Sequence, residues 1–266
     1  MSLVATPAVV LQTYRYSETS KVVRLATREL GVQSAIAKGV LRPKSRFGAG
    51  LELLSEGVAQ LYFREARELH TLAAFDVVNL RRGLAGDLSR FAGAAALAEV
   101  LLKMAPPAPL PAAYDTLTAC LDALASVPLE EVDAVAVRGL WLLMGALGFA
   151  PSLDVCVRDG GSVAPRAGES VAFSAAEGGV LCSRCPPANP AARLPFQDYQ
   201  DLLVLNDRST ELPALDGPHA AAHRRLVARF VRHHLGADTG PSSTPSLSAL
   251  EFWERHAWGH PPLAVS

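Results

Sequence analysis

Three of the four cysteines have the spacing of a metal site. Cys182 and Cys185 form a C-x₂-C pair, and Cys156 stands three residues before Asp159, with 22 residues between Asp159 and Cys182. Two thiolates three residues apart on a tight turn converge on one tetrahedral ion, and a second such pair completes the site. The pattern therefore predicts zinc bound by Cys156, Asp159, Cys182 and Cys185. Because a carboxylate is a poorer zinc ligand than a thiolate, we expect weaker or more labile binding than by four cysteines.

Two other interpretations of these cysteines remain open. The group could be an unmetallated vestige that keeps its fold through packing, or Cys182 and Cys185 could form a redox pair. Redox pairs of the thioredoxin kind begin a helix after a strand, and Pro186-Pro187 oppose a normal helix start here. Cys120 lies among leucines at helical spacing and is predicted to be buried in the core.

Positive charge is concentrated near the N-terminus. The whole chain has a net charge of -1, but Thr13 to Gly50 holds eight basic and two acidic side chains, so that the other 228 residues carry -7. Such polarity is the electrostatic signature of a polyanion binder, although a solvated strand surface would look the same. The predicted DNA-binding residues are Arg15, Lys21, Arg24, Lys38, Arg42, Lys44 and Arg46.

Residues 4–76 alternate between polar and apolar side chains, which predicts strands. The expected strands are Ala5 to Ser17, Ser20 to Thr27, Gly31 to Gly39, Leu51 to Phe63 and Glu68 to Val77. Leu41 to Gly50, which contains Pro43 and three basic residues, cannot continue the sheet and is predicted to be a mobile basic loop. Five short strands within residues 1–78 predict a Greek-key barrel of the oligonucleotide-binding (OB) type.

Helical spacing replaces alternation after residue 77. The first helix is predicted at about Asn79 to Met104, and residues 79–150 and 191–266 are expected to form an all-α helical body that ends in a C-terminal tail. Residues 151–190, rich in Gly and Pro, interrupt this body as a zinc-ribbon-like insert. The fold class is therefore α+β with several domains.

The sequence also lacks the signals of several protein classes. It contains no phosphate-binding P-loop, dinucleotide fingerprint, serine-hydrolase elbow or H-E-x-x-H metalloprotease motif. It has no apolar stretch of membrane-spanning length and no basic leader before an apolar run, so a cytoplasmic protein without a membrane partner is expected.

Several segments together resemble the bacterial recombination mediator RecO family. They are Tyr14 to Lys21, Thr27 to Gly31, Ala37 to Arg46, the cysteine pairs, and Val231 to Gly236. The resemblance implies a non-enzymatic, nucleoid-associated DNA repair protein that binds single- and double-stranded DNA and anneals complementary strands. It also implies action with the RecR protein and with the C-terminal tail of single-stranded DNA-binding protein to load recombinase. The alternatives are a protein-interaction scaffold with an incidental basic face and, third, a zinc hydrolase or thiol oxidoreductase.

The sequence departs from the family pattern at two places. Asp159 stands where a cysteine is expected, and after Gly236 a basic stretch is replaced by Ala-Asp-Thr-Gly-Pro-Ser-Ser.

The resemblance also implies a partner surface. The C-terminal tail of single-stranded DNA-binding protein is acidic and ends in hydrophobic residues, so its receptor must combine an apolar groove with cations. The predicted helix Pro218 to Leu235 carries both apolar residues and arginines. In the alternative interpretation, its apolar residues belong to the core and the arginines only face solvent. The predicted partner-binding residues are Arg224, Arg225, Arg229 and Phe230.

Overall fold

The computed structural model describes residues 2–45, 47, 50–65, 67–187, 191–238 and 246–256. The chain divides into two compact units, Met1–Ser126 and Val127–Ser266. The first unit holds the barrel and three helices, and the second holds a small sheet and the remaining helices. The five-stranded barrel, the helical body and the insert with its cysteine and aspartate group confirm the predicted fold class.

Five strands close into a barrel in the order β1-β2-β3-β5-β4. They are β1 (Ser2–Arg15), β2 (Lys21–Thr27), β3 (Gly31–Ala37), β4 (Glu56–Phe63) and β5 (Leu69–Asn79). Among the pairings of these five described strands, only that of β3 with β5 is parallel. A bulge between Val10 and Gln12 bends β1, whose first half pairs with β4 and whose second half pairs with β2. β1 therefore hydrogen-bonds to a neighbouring strand on each of its two sides.

The loop between β3 and β4 is anchored in the barrel core, although the sequence predicted a mobile segment. Phe47 is 3% exposed and Leu51 is 4% exposed, and both pack with Val23, Leu61 and other core residues. The strand predicted from Leu51 begins only at Glu56, because the backbone at Leu54 has a positive φ of 68°. An apolar side chain inside a basic loop thus holds that loop against the barrel.

Three helices pack in the first unit: α1 (Arg82–Ala85), α2 (Leu88–Met104) and α3 (Pro111–Ser126). The single helix predicted from Asn79 is wrong at its start, because Arg81 has a left-handed backbone with φ of 45° and Asp87 is extended and caps α2. The buried guanidinium of Arg81 binds Asp122 at 2.7 Å, the Leu54 carbonyl at 3.1 Å, and Glu56. This ion-pair network ties the strands to α3.

The second unit combines helices with a three-stranded sheet of order β7-β6-β8. After a 3₁₀ turn (Leu129–Glu131) its elements are α4 (Val132–Ala146), β6 (Ser170–Ser174), β7 (Gly179–Leu181), β8 (Ala192–Pro195), α5 (Phe196–Leu205), α6 (Gly217–Asp238) and α7 (Ser248–Arg255). Trp141 of α4 packs between Phe173 of β6 and Phe230 of α6, with ring centroids 6.0 Å and 5.0 Å away. Aromatic packing therefore joins the sheet to the helices.

Candidate nucleic-acid interface and metal centre

Two connections meet at one end of the barrel. The Leu41 N–H, in the loop after β3, donates to the Thr19 carbonyl in the β1–β2 turn at 3.0 Å. In the strands that lead there, Arg15 is paired with Lys21 and Lys21 with Ala37, which precedes Lys38. We call this surface the basic end of the barrel. It consists of Arg15, Lys21, Lys38, Arg42 and Lys44.

Most cations of the basic end face solvent. Arg15, Lys38, Arg42 and Lys44 are exposed, and Lys21 is half-buried. Arg24, the sixth described residue of the predicted set, lies apart from them: it follows Lys21 by three residues in a strand whose side chains alternate, so it points to the opposite face. Arg46 lies outside the described residues.

Two aromatic side chains that we did not assign to the site flank Arg15 in the sequence. Tyr14 is 46% exposed and Tyr16 is 62% exposed. Tyr14 is paired across the strands with Val22, on the same face as Arg24, and its hydroxyl donates to Gln12. The alternation Tyr-Arg-Tyr in the sequence is the signal that could have identified them, because alternate residues of a strand share a face.

Arg28 contributes to the positive charge of the segment but is already paired. Its Nε donates to Asp115 Oδ1 at 2.8 Å, and its Nη2 donates to Oδ2 of the same carboxylate at 3.0 Å. Arg28 follows β2 at the end of the barrel away from the β1–β2 turn. Because it is held in this bidentate ion pair, the Arg28 guanidinium is less available to another anion.

In the second unit, Cys156, Asp159, Cys182 and Cys185 converge as the sequence predicted. One potential ligand atom from each lies within 4.8 Å of the others. Cys182 Sγ is 3.5 Å from Asp159 Oδ2. Zn–S and Zn–O bonds of about 2.3 and 2.1 Å in a tetrahedron require about 3.6 Å between those atoms. The donor types and their spacing therefore fit zinc.

Tight turns produce this convergence. The Gly160 N–H donates to the Cys156 carbonyl at 2.9 Å, and the Cys185 N–H donates to the Cys182 carbonyl at 3.1 Å. Gly160 has a φ of +68°, a left-handed conformation that a glycine adopts without steric cost. The Val157 N–H donates to the Val180 carbonyl at 3.0 Å, which fixes the first turn beside β7.

The surroundings shift the pKa values of Asp159, Cys156 and Cys185 in different directions. The Gly161 N–H, followed by the Cys156 thiol, lowers the pKa of Asp159 to about 2. Burial raises the pKa of the Cys156 thiol, but N–H groups of Cys182, Asp159 and Arg158 outweigh that effect and bring it below the ordinary value. Burial and the neighbouring thiols raise the pKa of Cys185 to about 12. A bound divalent cation would stabilise all three thiolates together.

Two arginines support this cluster, and sequence reasoning missed both. Arg184 donates to Asp159 Oδ2 at 3.1 Å. Arg158 donates to the Pro186 carbonyl at 2.7 Å and forms a bidentate ion pair with Glu177. These contacts link the two cysteine turns to the β6–β7 hairpin. Hydrogen bonds of this kind orient ligands.

Comparison with known proteins agrees with this architecture. Residues 1–81 match the family model "Recombination protein O N terminal", and residues 85–243 match "Recombination protein O C terminal". The DNA repair protein RecO of Rubrobacter xylanophilus is 34% identical over 239 residues, which cover 88% of this chain and 92% of that protein. The protein of the same name from Anaeromyxobacter sp. strain K is 35% identical over 243 residues, with 89% and 93% covered.

The chain belongs to the RecO family. Family membership gives it a role in DNA repair and recombination, and this is a family of DNA repair mediators with no known enzyme class. None of the helices among the described residues is long and apolar enough to cross a membrane.

The predicted partner surface of this RecO-family protein needs a correction. Phe230 is 1% exposed in the core, and Arg224 is 3% exposed because it is paired with both carboxylate oxygens of Asp133 at 2.6 Å. Neither side chain is available to a partner. Arg225 and Arg229 are exposed on the other side of α6. They line a groove of about 420 Å³ with Leu194, Leu226 and Arg232 among others.

Proposed function

We propose that this RecO-family protein binds single- and double-stranded DNA through the basic end of the barrel. The proposal is supported by one observation above all: two connections joined by a backbone hydrogen bond bring five cationic residues together. Exposed lysines and arginines neutralise phosphates without reading sequence. Tyr14 and Tyr16, which flank Arg15 in the sequence, are exposed and offer rings on which bases can stack.

The same surface suits strand annealing in the bacterial cytoplasm. Two single strands repel each other until their phosphates are neutralised, and bases must be held weakly enough to exchange partners. Annealing forms no covalent bond, so the barrel needs no catalytic group. We propose that annealing, with RecR and single-stranded DNA-binding protein as partners in loading recombinase, is the biochemical contribution of this chain.

A salt titration with matched variants tests the site. Each phosphate contact contributes about 0.7–0.9 to the slope of log affinity against log salt, so Arg42→Ala with Lys44→Ala should make the slope shallower by that amount for each contact removed. Arg28→Ala is the matched control, because Arg28 is a paired arginine of the same barrel. If the double variant keeps the wild-type slope, affinity and annealing rate while folded, the basic end is not the DNA site.

We also propose that the cluster of Cys156, Asp159, Cys182 and Cys185 holds zinc in a structural role. The ion would join the two turns of the insert, with four protein ligands and no open position for chemistry. Asp159→Cys should increase zinc retention against a chelator, measured by metal analysis over time. Well under one zinc per chain after gentle purification would favour an unmetallated cluster.

The groove beside α6 is proposed as the receptor for the acidic C-terminal tail of single-stranded DNA-binding protein. Its exposed cations, Arg225 and Arg229, suit carboxylates, and Leu226 suits a hydrophobic end. Arg225→Glu and Arg229→Glu should weaken binding of a tail peptide and make it less salt-dependent, while Arg166→Glu, an exposed arginine of the insert, should not. Unchanged peptide binding in both folded α6 variants would assign the tail to another surface.

A further inference from the structure

Helices α5 and α6 bring together three buried groups with metal-ligand chemistry. Asp198 and Asp201 are three residues apart on α5 and so share a face of that helix, and His223 comes from α6. One ligand atom from each lies within 4.8 Å of the others. The carboxylates are each 8% exposed and the imidazole is 1% exposed. The cysteine cluster shares none of these residues.

Two of these three side chains carry buried polar atoms without a hydrogen-bond partner among the described residues. Within the described part of the chain, neither ring nitrogen of His223 nor Oδ1 of Asp198 has a hydrogen-bond partner. A buried polar atom without a partner is costly and rare. Asp201 Oδ1, by contrast, accepts from Gln197 Nε2 at 2.9 Å, a contact of the type that orients a metal-ligating carboxylate.

The spacing of these atoms fits a bridging ion better than a direct hydrogen bond. His223 Nε2 is 3.7 Å from Asp198 Oδ1, which is beyond hydrogen-bonding range. Metal–nitrogen and metal–oxygen bonds of about 2.1 Å place two tetrahedral ligands about 3.4 Å apart. A cation between the two side chains would therefore satisfy both with little movement.

We propose that Asp198, Asp201 and His223 form a second metal site, which takes one divalent transition-metal ion. Asp198 and His223 line the groove beside α6, so an ion can enter from the groove. Nitrogen and oxygen donors accept Mn²⁺ or Zn²⁺, whereas thiolates favour Zn²⁺. Burial lowers the pKa of His223, which keeps the imidazole in the neutral form that ligates.

Metal binding at the cysteine cluster and at the second site can be distinguished by loading one site after the other. The full-length protein is first given one equivalent of Zn²⁺ to occupy the cysteine cluster and is then titrated with Mn²⁺, with the free ion followed by electron paramagnetic resonance. We expect about one further ion to bind per chain. In the Cys182→Ser, Cys185→Ser variant, Co²⁺ should still bind, without the thiolate charge-transfer absorption that a cysteine site gives.

Matched variants identify the ligands. His223→Gln and Asp198→Asn should each weaken Mn²⁺ binding at least tenfold, because losing even a hydrogen-bond partner of a metal ligand costs about 10–100-fold in affinity. His233→Gln, which changes an exposed histidine of the same helix, should leave it unchanged. No bound Mn²⁺, Co²⁺ or Zn²⁺ beyond the cysteine site in the wild-type protein would overturn the proposal, and this measurement needs no variant to fold. Binding that survives both ligand variants, with native circular dichroism, would also overturn it.

Discussion

The basic end of the barrel and the cysteine cluster organise charge in opposite ways. Lys38, Arg42 and Lys44 are exposed in the loop that follows β3. Cys156 and Asp159 instead converge with the other cysteines within 4.8 Å, and burial together with the neighbouring thiols raises the pKa of Cys185. Solvated charges can be removed with little effect on folding, whereas converged ones need a cation. The first region should therefore affect binding more than stability, and the second stability more than binding.

The strongest test of this difference is removal of the cysteine ligands. Cys182→Ser with Cys185→Ser should abolish zinc retention and lower the unfolding temperature of the second unit, because zinc binding is worth about 10–16 kcal/mol in small zinc-folded peptides and part of that supports the fold. Tryptophan fluorescence is the measurement, since all three tryptophans lie after residue 127. DNA affinity should stay at the wild-type value. If this variant also lost DNA affinity, the basic end and the cysteine cluster would not have the separate roles described above.

Within the barrel, folding should depend on the apolar residue of the loop and not on its cations. Phe47→Ala removes a side chain that is 3% exposed in the core, so it should lower the free energy of unfolding by about 3–5 kcal/mol. Lys44→Ala, three residues earlier and exposed, should change it by less than about 0.5 kcal/mol. Urea denaturation measures both. A loss of less than about 0.5 kcal/mol for Phe47→Ala would mean that this side chain contributes little to the core.

Substitution of the exposed tyrosines tests whether bases stack on the barrel. Tyr14→Ala and Tyr16→Ala should each weaken binding of single-stranded DNA by about 1–3 kcal/mol if a base stacks on the ring. Because stacking does not neutralise phosphates, the salt slope should stay at its wild-type value. Tyr62→Ala, another exposed tyrosine of the barrel, is the control. A changed slope with unchanged affinity at low salt would argue against stacking.

The smallest expected effect concerns pH. Asp87 caps α2 by accepting from the N–H groups of Ser89 and Arg90 at 2.9 and 3.1 Å. The Ser89 hydroxyl, which also donates to it, holds its pKa below the ordinary value. The carboxylate therefore stabilises the fold above the unfolded-state pKa of about 3.9, and this is lost as pH falls through the lower folded value.

Two substitutions separate the charge of Asp87 from its capping role. Asp87→Ala should cost about 0.5–2 kcal/mol at neutral pH, whereas Asp87→Asn should keep most of the cap without its acid sensitivity. Thermal unfolding from pH 3 to 7 distinguishes the variants. The same acid sensitivity in Asp87→Asn would assign the effect to other carboxylates.

Much of the fold could be predicted from local patterns. Alternation predicted five strands, and C-x₂-C spacing predicted the four clustered ligands, because both signals act over a few residues. The start of β4 was placed too early, since Leu51 looks apolar and strand-like but packs into the core from a turn. Arg224 and Phe230 were assigned to a surface because helical spacing does not reveal which face is buried. The domain boundaries and DNA contacts stay predictions.

The sequence by itself determined the five barrel strands in outline, the polarity of charge and the group of potential metal ligands in the insert, because these depend on residue types at short spacing. Only the tertiary structure decided that Thr19 and Leu41 hydrogen-bond to join two basic connections. Only it brought His223 to Asp198 and Asp201, and buried Arg224 against Asp133. Such contacts join residues far apart in the chain, and their geometry is fixed by how whole strands and helices pack.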